Sequence, residues 1–140
     1  MNESPSRLLA ASGAILIGIS LLVGAVAGLA MTDKVDADGA TLLAAHLAGL
    51  MGAFMIFGLG WSLPMVNLPP ASKSMLAWFV IVPNYANLTL TFVKGFLRVH
   101  ALDFGPTSAD SAVFVALNIL VVLPALAATG AWAWGLLRKA

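Results

Sequence analysis

The sequence predicts an all-α integral membrane protein in which four transmembrane helices form an up-down bundle. Two observations lead to this prediction: 61% of the 140 residues are hydrophobic and only 9% are charged, and the polar residues are concentrated in three short stretches. A soluble domain is about half apolar and about a quarter charged. Because so few charges cannot cover a water-exposed surface, the expected environment is the lipid bilayer.

Three polar stretches divide the chain into four apolar segments. The polar stretches are 32–39, 67–74 and 100–110. The segments that they leave are about 8–31, 40–64, 75–99 and 111–137. Each is near or above the ~20 residues that cross a bilayer, and the first is too long for the apolar part of a signal peptide, about 7–15 residues. Short loops make consecutive helices antiparallel, so we expect a single membrane domain over residues 1–140.

Charges outside these segments predict the orientation. With four spans both termini lie on one side, and that side has one acid, Glu3, against four basic residues: Arg7, Lys73, Arg138 and Lys139. The other side has only Lys34 and Arg98 against five acids: Asp33, Asp36, Asp38, Asp103 and Asp110. The positive-inside rule therefore predicts a multi-pass protein of the inner (cytoplasmic) membrane with both termini in the cytoplasm.

Several classes of function are excluded or weakened by what the sequence lacks. There is no cysteine, which excludes disulfides and thiolate chemistry. The net charge of +1 argues against nucleic-acid binding. The four segments contain one histidine and no carboxylate, too few ligands for a zinc or di-iron site and too few acids for a proton relay. No glycine-rich loop follows a strand pattern, so nucleotide binding has no support.

Polar residues in the third segment form a stripe. They are spaced by three and four positions: Asn84, Asn87, Thr91, Lys94 and Arg98. This spacing places side chains on one face of a helix. Since lipid penalises such a face, we expect it to contact the bundle interior or another subunit, and polar groups inside a span are candidate functional residues.

Residues from three helices share one depth in the predicted bundle. At 1.5 Å per residue, His46 lies about 9 Å, Asn118 about 10–12 Å and Thr91 about 12 Å below the boundary opposite the termini. Lys94 is shallower, about 7–8 Å, and its stem can reach the interface. The simplest interpretation is one site in this half of the bilayer.

His46 is the only histidine in any predicted span. Its face of the helix carries residues that leave a nearly flat surface: Leu42, Gly49 and Ala53. A neutral imidazole beside a flat apolar surface is typical of an axial ligand to haem iron, with Gly49 clearing space for the macrocycle. The alternative is a buried histidine hydrogen-bonded to Thr91 or Asn118. The glycines of the first two helices likewise either serve close helix packing or make room for a flat ligand.

The order His46, Pro64, Asn87 and Phe104-Gly105-Pro106 resembles the styrene oxide isomerase family, from about Ala45 through Ala127. The resemblance implies a homotrimer with haem b at the subunit interface, ligated by the histidine that aligns with His46. It also implies a redox-neutral, Meinwald-type rearrangement. The ferric iron acts as a Lewis acid on an epoxide oxygen, the ring opens, and a hydride shift gives the carbonyl product.

The chain departs from this family at three positions. The family's catalytic tyrosine falls at Thr91, its active-site asparagine at Gly52, and an acidic residue of the third helix at Pro83. A threonine hydroxyl is shorter and much less acidic than a phenol. The resemblance therefore implies that the scaffold and haem site are kept while the groups that activate the substrate differ.

The leading hypothesis is a haem b-dependent membrane isomerase that converts a small apolar epoxide to an aldehyde or ketone. In it His46 ligates the iron, Asn87 orients the substrate or bonds a haem edge, and Thr91 and Asn118 line the pocket. A further pair, Lys94 and Arg98, either binds the haem propionates or anchors the helix at the interface.

Three alternatives stay open. The stretch at 46–51, HLAGLM, also resembles the start of the second helix of hydroxylaminobenzene mutases. A non-catalytic haem-binding protein would keep the fold and lose the active groups, as the departures at Thr91 and Gly52 would leave it. A small transporter or channel has only the polar stripe in its favour.

Overall fold

Every regular element of the described chain is helical, as the sequence predicts. The computed structural model describes residues 4–100, 104 and 107–138. Four helices in this part are long and apolar enough to cross a membrane. The first three are α1 (Pro5–Met31), α2 (Gly39–Ser62) and α3 (Pro70–Leu97), and a 3₁₀ turn, Leu63–Met65, follows α2. The fourth span comprises α4 (Ser108–Leu117), a π-helical turn (Asn118–Val122) and α5 (Leu123–Leu137).

The third helix differs most from its predicted bounds, 75–99. It begins at Pro70, which the sequence analysis assigned to a polar loop, because proline at the first helical position has no N–H to leave unpaired and its fixed φ suits the helix. It ends at Leu97, since Arg98 takes a left-handed conformation with φ 54°. Arg98 therefore closes the helix instead of extending its polar stripe.

The loop between α1 and α2 is tied to the end of α3. Asp38 caps α2 by accepting hydrogen bonds from Ala40 N at 3.1 Å and Thr41 Oγ1 at 2.5 Å. The bond from Thr41 holds the pKa of Asp38 below its ordinary value of 3.8. The Asp38 N–H donates to Gly95 O at 2.8 Å, and Asp36 pairs with Arg98. These contacts fix the end of the bundle nearest the predicted site.

The core lies between α1, α2 and α3. Its side chains come from the faces that these helices turn toward one another, with fully buried leucines on α1 and α2. Small residues let the backbones approach closely. A Cβ on Gly49 would lie 2.8 Å from the Cβ of Ser20 on α1, and it would also overlap Leu88 on α3. All three helices therefore meet at Gly49.

The fourth span lies against α3 and is hydrogen-bonded to the rest of the bundle near its ends. Near the termini, Trp132 Nε1 donates to Ser62 Oγ at 2.9 Å, and Asn67 N donates to Gly135 O at 2.8 Å. At the other end Thr107 caps α4, with its hydroxyl accepting from Asp110 N at 3.1 Å. Between these ends, residues 114–127 include none that is buried. Most of the span is therefore free to face lipid or another chain.

The π-helical turn was not predicted, and its cause lies in the sequence. Pro124 has no N–H, so it cannot continue the α-helical pattern, and Leu123 N bonds instead to Asn118 O, five residues back. The turn packs against α3. Val122 lies 14 residues after Ser108, where the fourth span begins, and Pro83 lies 14 residues before Leu97, where α3 ends. Both are therefore about 21 Å from the same end of the bundle. Pro83 of α3 and the π-helical turn of the fourth span thus stand at one level.

Candidate functional site

The His46 ring is held by α1. Its Nδ1 lies 2.7 Å from the carbonyl oxygen of Ser20. A carbonyl oxygen only accepts, so Nδ1 carries a proton, and in the neutral ring Nε2 then keeps its free electron pair. The Ser20 hydroxyl donates in turn to the His46 carbonyl oxygen at 2.5 Å, and it lies 3.3 Å from Nδ1. Ser20 is completely buried, whereas His46 is only half-buried.

Gly24 lets the imidazole lie against α1. A Cβ at this position would stand 2.8 Å from Nδ1 and 2.9 Å from Cε1 of His46, closer than real Cβ atoms come to other atoms. One turn further along α1, a Cβ on Gly28 would meet nothing within 4 Å. The ring is therefore packed closely against Gly24, whereas a Cβ at Gly28 would not contact it.

The surface expected to lie open beside the imidazole is used for packing. Leu42 and Ala53 are completely buried, and the space at Gly49 is filled by Ser20 and Leu88. Gly49 therefore serves the contact between helices in this chain. The exposed apolar side chains next to His46 along α2 are Leu43 and Leu47.

The alternative partners predicted for His46 were wrong. Thr91 Oγ1 donates to Asn87 Oδ1 at 3.4 Å, and Asn118 Nδ2 donates to Phe114 O at 2.9 Å, so both bond within their own helices. The hydrogen bonds of the His46 ring to the described residues go to Ser20. A partial signal was present, because Gly24 lies about 10 Å below the end of the first apolar segment, near the depth predicted for His46, and Ser20 is one turn away on the same face.

Within one chain, His46 and the polar stripe approach α2 from different sides. Asn84 lies against Gly52, where a Cβ would stand 2.6 Å from Asn84 Oδ1. Gly52 follows His46 by six residues, which places the two about 120° apart around the helix axis. The equal depths predicted for the polar groups therefore do not bring the His46 ring and the stripe of α3 to one side of α2.

The two cations of the stripe have different surroundings. The Arg98 guanidinium is exposed and pairs with Asp36 in the neighbouring loop. Lys94 is half-buried near the end of α3 and forms no ion pair with any residue between 4 and 100 or between 107 and 138. Of the two cations predicted to bind propionates, Lys94 is the one whose charge is unpaired in this part of the chain.

Phe104 is the only described member of the Phe104-Gly105-Pro106 stretch, and residues 105 and 106 lie outside the described residues. Its ring packs edge-on against Phe114 of α4, with centroids 5.0 Å apart. His100 donates its backbone N–H to Asp110 at 3.1 Å, while its residue surface is exposed. These two contacts connect the described ends of the segment between α3 and α4 to α4.

A comparison with known protein families matches residues 5–137 to the family described as styrene oxide isomerase. The chain belongs to this family. No curated protein matches it. The match extends the resemblance seen in the sequence, from about Ala45 through Ala127, to nearly the whole chain, including α1. Membership in the styrene oxide isomerase family, together with four membrane-spanning helices, indicates a membrane isomerase.

The positions where this styrene oxide isomerase family member departs from the resemblance are all packed by its own residues. The space at Gly52 is filled by the Asn84 carboxamide, whose Nδ2 also donates to Val80 O at 2.7 Å. Pro83 is completely buried. Thr91 is hydrogen-bonded to Asn87. An amide is thus present beside Gly52, but α3 supplies it instead of α2.

Proposed function

We propose that this chain is a haem b-dependent isomerase that rearranges a small apolar epoxide to an aldehyde or ketone. The observation that carries the proposal is the hydrogen bonding of His46. Its Nδ1 proton is held by the Ser20 carbonyl, which leaves Nε2 unprotonated and able to bind a metal. When bound, haem iron would supply a Lewis acid that polarises the substrate oxygen.

The surroundings of His46 fit such a cofactor. A metal-ligating histidine almost always donates its other ring N–H to a carbonyl or carboxylate, which fixes the tautomer and the ring orientation. The Ser20 carbonyl does this for His46 at 2.7 Å. The ring is half-buried, and Leu47, the next residue of α2, is exposed and gives an apolar surface beside it. An apolar macrocycle matches that surface.

The position of His46 also supports a homotrimer. Because the ring and the stripe of α3 lie on different sides of α2, a site that uses both needs two subunits. Asn87, Thr91 and Lys94 of one subunit would then complete the site at His46 of the next. Lys94, whose charge is unpaired among the described residues, would bind a propionate, whereas Arg98 would first have to leave Asp36.

The polar side chains have the chemistry to hold and orient an epoxide. Thr91 donates to Asn87 Oδ1, so the Asn87 NH₂ group stays available as a donor to the substrate oxygen. The Asn118 Nδ2 is used by Phe114 O, which leaves its Oδ1 as an acceptor. The Asn84 carboxamide beside Gly52 takes the place of the family's asparagine. In the apolar surrounding of the bilayer these few groups would bind a substrate that dissolves in lipid.

The reaction class agrees with what the sequence lacks. An epoxide and its isomeric carbonyl compound have the same composition and oxidation level, so no diffusible cosubstrate is consumed. The chain has no nucleotide-binding motif and no carboxylate within its predicted spans. A shift of hydride within the substrate requires neither. We take the inner membrane, with both termini in the cytoplasm, as the location of this activity.

The first experiment is an absorption spectrum of the protein purified in mild detergent, beside His46→Ala and His100→Ala variants. We expect a Soret band in the parent and in His100→Ala, because His100 lies outside the predicted site, and loss or displacement of the band in His46→Ala. A parent protein that shows no Soret band even after haem is supplied would rule out the haem mechanism.

Turnover then separates the reactions open to a haem-loaded protein. Styrene oxide and a panel of small epoxides test the proposed isomerase, and phenylhydroxylamine tests the mutase. Conversion of an epoxide to a carbonyl compound supports the proposal. Turnover of phenylhydroxylamine alone assigns the mutase, and a haem-loaded protein inert toward both supports the non-catalytic haem-binding alternative.

A further inference from the structure

Ser20 and His46 are joined by two hydrogen bonds that run in opposite directions. The His46 Nδ1 donates to the Ser20 carbonyl at 2.7 Å, and the Ser20 hydroxyl donates to the His46 carbonyl at 2.5 Å. One bond holds the ring and the other holds the backbone from which the ring projects. Together they fix α2 against α1 at the residue proposed to bind iron.

We infer that Ser20 and Gly24 of α1 are positioning residues that fix the tautomer and the direction of the His46 ring. Ser20 supplies the acceptor for the Nδ1 proton, and Gly24 supplies the clearance that lets the ring reach this acceptor. The consequence for haem rests on the proposed function. The tautomer itself does not, since it is a property of the protein without cofactor.

The tautomer follows from the chemistry of the two groups. A neutral imidazole has one N–H, and a backbone carbonyl can only accept a hydrogen bond. The other tautomer would turn the Nδ1 lone pair toward the carbonyl lone pairs, where nothing is donated. Inside a buried helix contact, an unmade hydrogen bond is more costly than in water. The Nδ1–H form is therefore strongly favoured, and Nε2 points away from Ser20.

Gly24 is needed because Ser20 and Gly24 are one helical turn apart. The Ser20 carbonyl lies beside the backbone of residue 24, so a side chain there would stand between the carbonyl and the ring. A Cβ would be 2.8–3.1 Å from three ring atoms of His46, Nδ1, Cε1 and Cγ. On the same helix, Gly28 offers a matched control, because a Cβ there meets nothing within 4 Å.

The first test reads the tautomer directly. In the full-length protein labelled with ¹⁵N-histidine and carrying His100→Gln, His46 is the only histidine, and long-range ¹⁵N–¹H correlation distinguishes Nδ1–H from Nε2–H. Measured without haem, we expect Nδ1–H in this parent and in Gly28→Ala. In Gly24→Ala we expect loss of the single tautomer, because the ring can no longer reach Ser20.

The second readout is haem affinity, measured by Soret titration of the same proteins. Changes at partners of a metal ligand commonly reduce metal affinity about 10–100-fold. We expect a reduction in that range for Gly24→Ala, a smaller one for Ser20→Ala, which keeps the backbone acceptor, and the parent value for Gly28→Ala. If the small residues of α1 served only general packing, Gly24→Ala and Gly28→Ala would not differ in haem affinity in this way.

Two outcomes would overturn the inference: an Nε2–H tautomer in the parent, or a Gly24→Ala protein that matches Gly28→Ala in both readouts. If Gly24→Ala fails to fold, the inference is still tested by the tautomer of the parent and by the haem affinity of Ser20→Ala. A parent that has the Nδ1–H tautomer but binds no haem would remove the proposed function and leave the positioning of His46 established.

Discussion

The pair α1–α2 and the fourth span are built differently. In the most apolar 18-residue window of the second span 39% of residues are buried, against 11% in the fourth. Two glycines of the pair have their space filled, Gly24 by His46 and Gly49 by Ser20 and Leu88, whereas a Cβ on Gly130 of the fourth span would meet nothing within 4 Å. The pair is close-packed, whereas the fourth span lies against α3 with few buried residues.

The difference follows from the solvent. In lipid an exposed apolar side chain costs almost nothing, so a helix gains little from merely covering apolar surface. Close packing is therefore found where something must be held in place. In this chain it is found where His46 is oriented by Ser20. The loosely packed middle of the fourth span leaves apolar surface for lipid, substrate or a neighbouring subunit.

The largest effect is expected from Gly49→Ala compared with Gly130→Ala. A Cβ on Gly49 overlaps Leu88 and lies 2.8 Å from the Ser20 Cβ, so the helices must separate, and overpacking of this kind costs about 1–3 kcal/mol. A Cβ on Gly130 meets no atom, so alanine there should leave stability unchanged or raise it by about 0.5–1 kcal/mol. Thermal unfolding in detergent measures both.

Equal destabilisation by the two alanines would remove the contrast between the regions. It would mean that the middle of the fourth span is packed as closely as the first pair, for instance by a neighbouring subunit. Measuring the same variants at increasing detergent concentration separates these cases, because dissociation of subunits would relieve the effect at Gly130 and not at Gly49.

The sequence predicted the features that depend on a single segment, such as the length and apolar character of each helix. It did not predict contacts that depend on which side of a helix faces which neighbour. Span length and hydropathy located four helices to within a few residues at most ends. Depth needs only a rise per residue, so it predicts at what level of the bilayer His46 and Asn118 lie. Rotation about the helix axis is not determined by depth, so the partner of His46 was missed and Ser20 was found only in the structure.

Two structural effects of proline were also not predicted from the sequence. Pro70 was assigned to a loop because proline usually ends helices, but the first turn of a helix accepts it. Pro124 stands within an otherwise regular apolar segment and produces the π-helical turn Asn118–Val122. In a membrane the helix continues past such a residue because leaving more backbone unpaired would cost more. Sequence alone did not indicate where the register would change.

An intermediate effect on stability is expected from changes at Gly52 and Asn84. They test whether the amide that α3 supplies beside Gly52 can be moved to α2. A Cβ on Gly52 would lie 2.6 Å from Asn84 Oδ1, so Gly52→Asn alone should cost about 1–3 kcal/mol. In Gly52→Asn/Asn84→Ala the new amide has room, and we expect a coupling of about 0.5–3 kcal/mol that restores much of the lost stability. Unfolding of the two single variants and the double variant completes the cycle.

Activity adds a second readout to this cycle. If the amide acts on substrate wherever it comes from, Asn84→Ala loses epoxide turnover and the double variant regains part of it. A double variant that is as stable as the parent but as inactive as Asn84→Ala would show that the amide must come from α3. Purely additive changes in stability would mean that Gly52 and Asn84 are not in contact.

The smallest effect is expected from Trp132→Phe compared with Trp134→Phe, which tests how the fourth span is attached. Trp132 donates to Ser62 Oγ at 2.9 Å, and a hydrogen bond between helices in a membrane contributes about 0.6 kcal/mol on average. Trp134 is exposed and lies under Arg138, with the guanidinium 5.1 Å from its ring centre, a contact that phenylalanine largely keeps. Only Trp132→Phe should lower the unfolding midpoint.

Hydrogen exchange locates that effect. Because Trp132 attaches α5 to the end of α2, its loss should raise amide exchange in α5 and leave α1 and α2 as protected as in the parent. Faster exchange at Ser20 and His46 as well would mean that the two regions form one cooperative unit. The close-packed pair α1–α2 would then depend on the fourth span for its stability. The two regions would no longer differ in how they are held in the bundle.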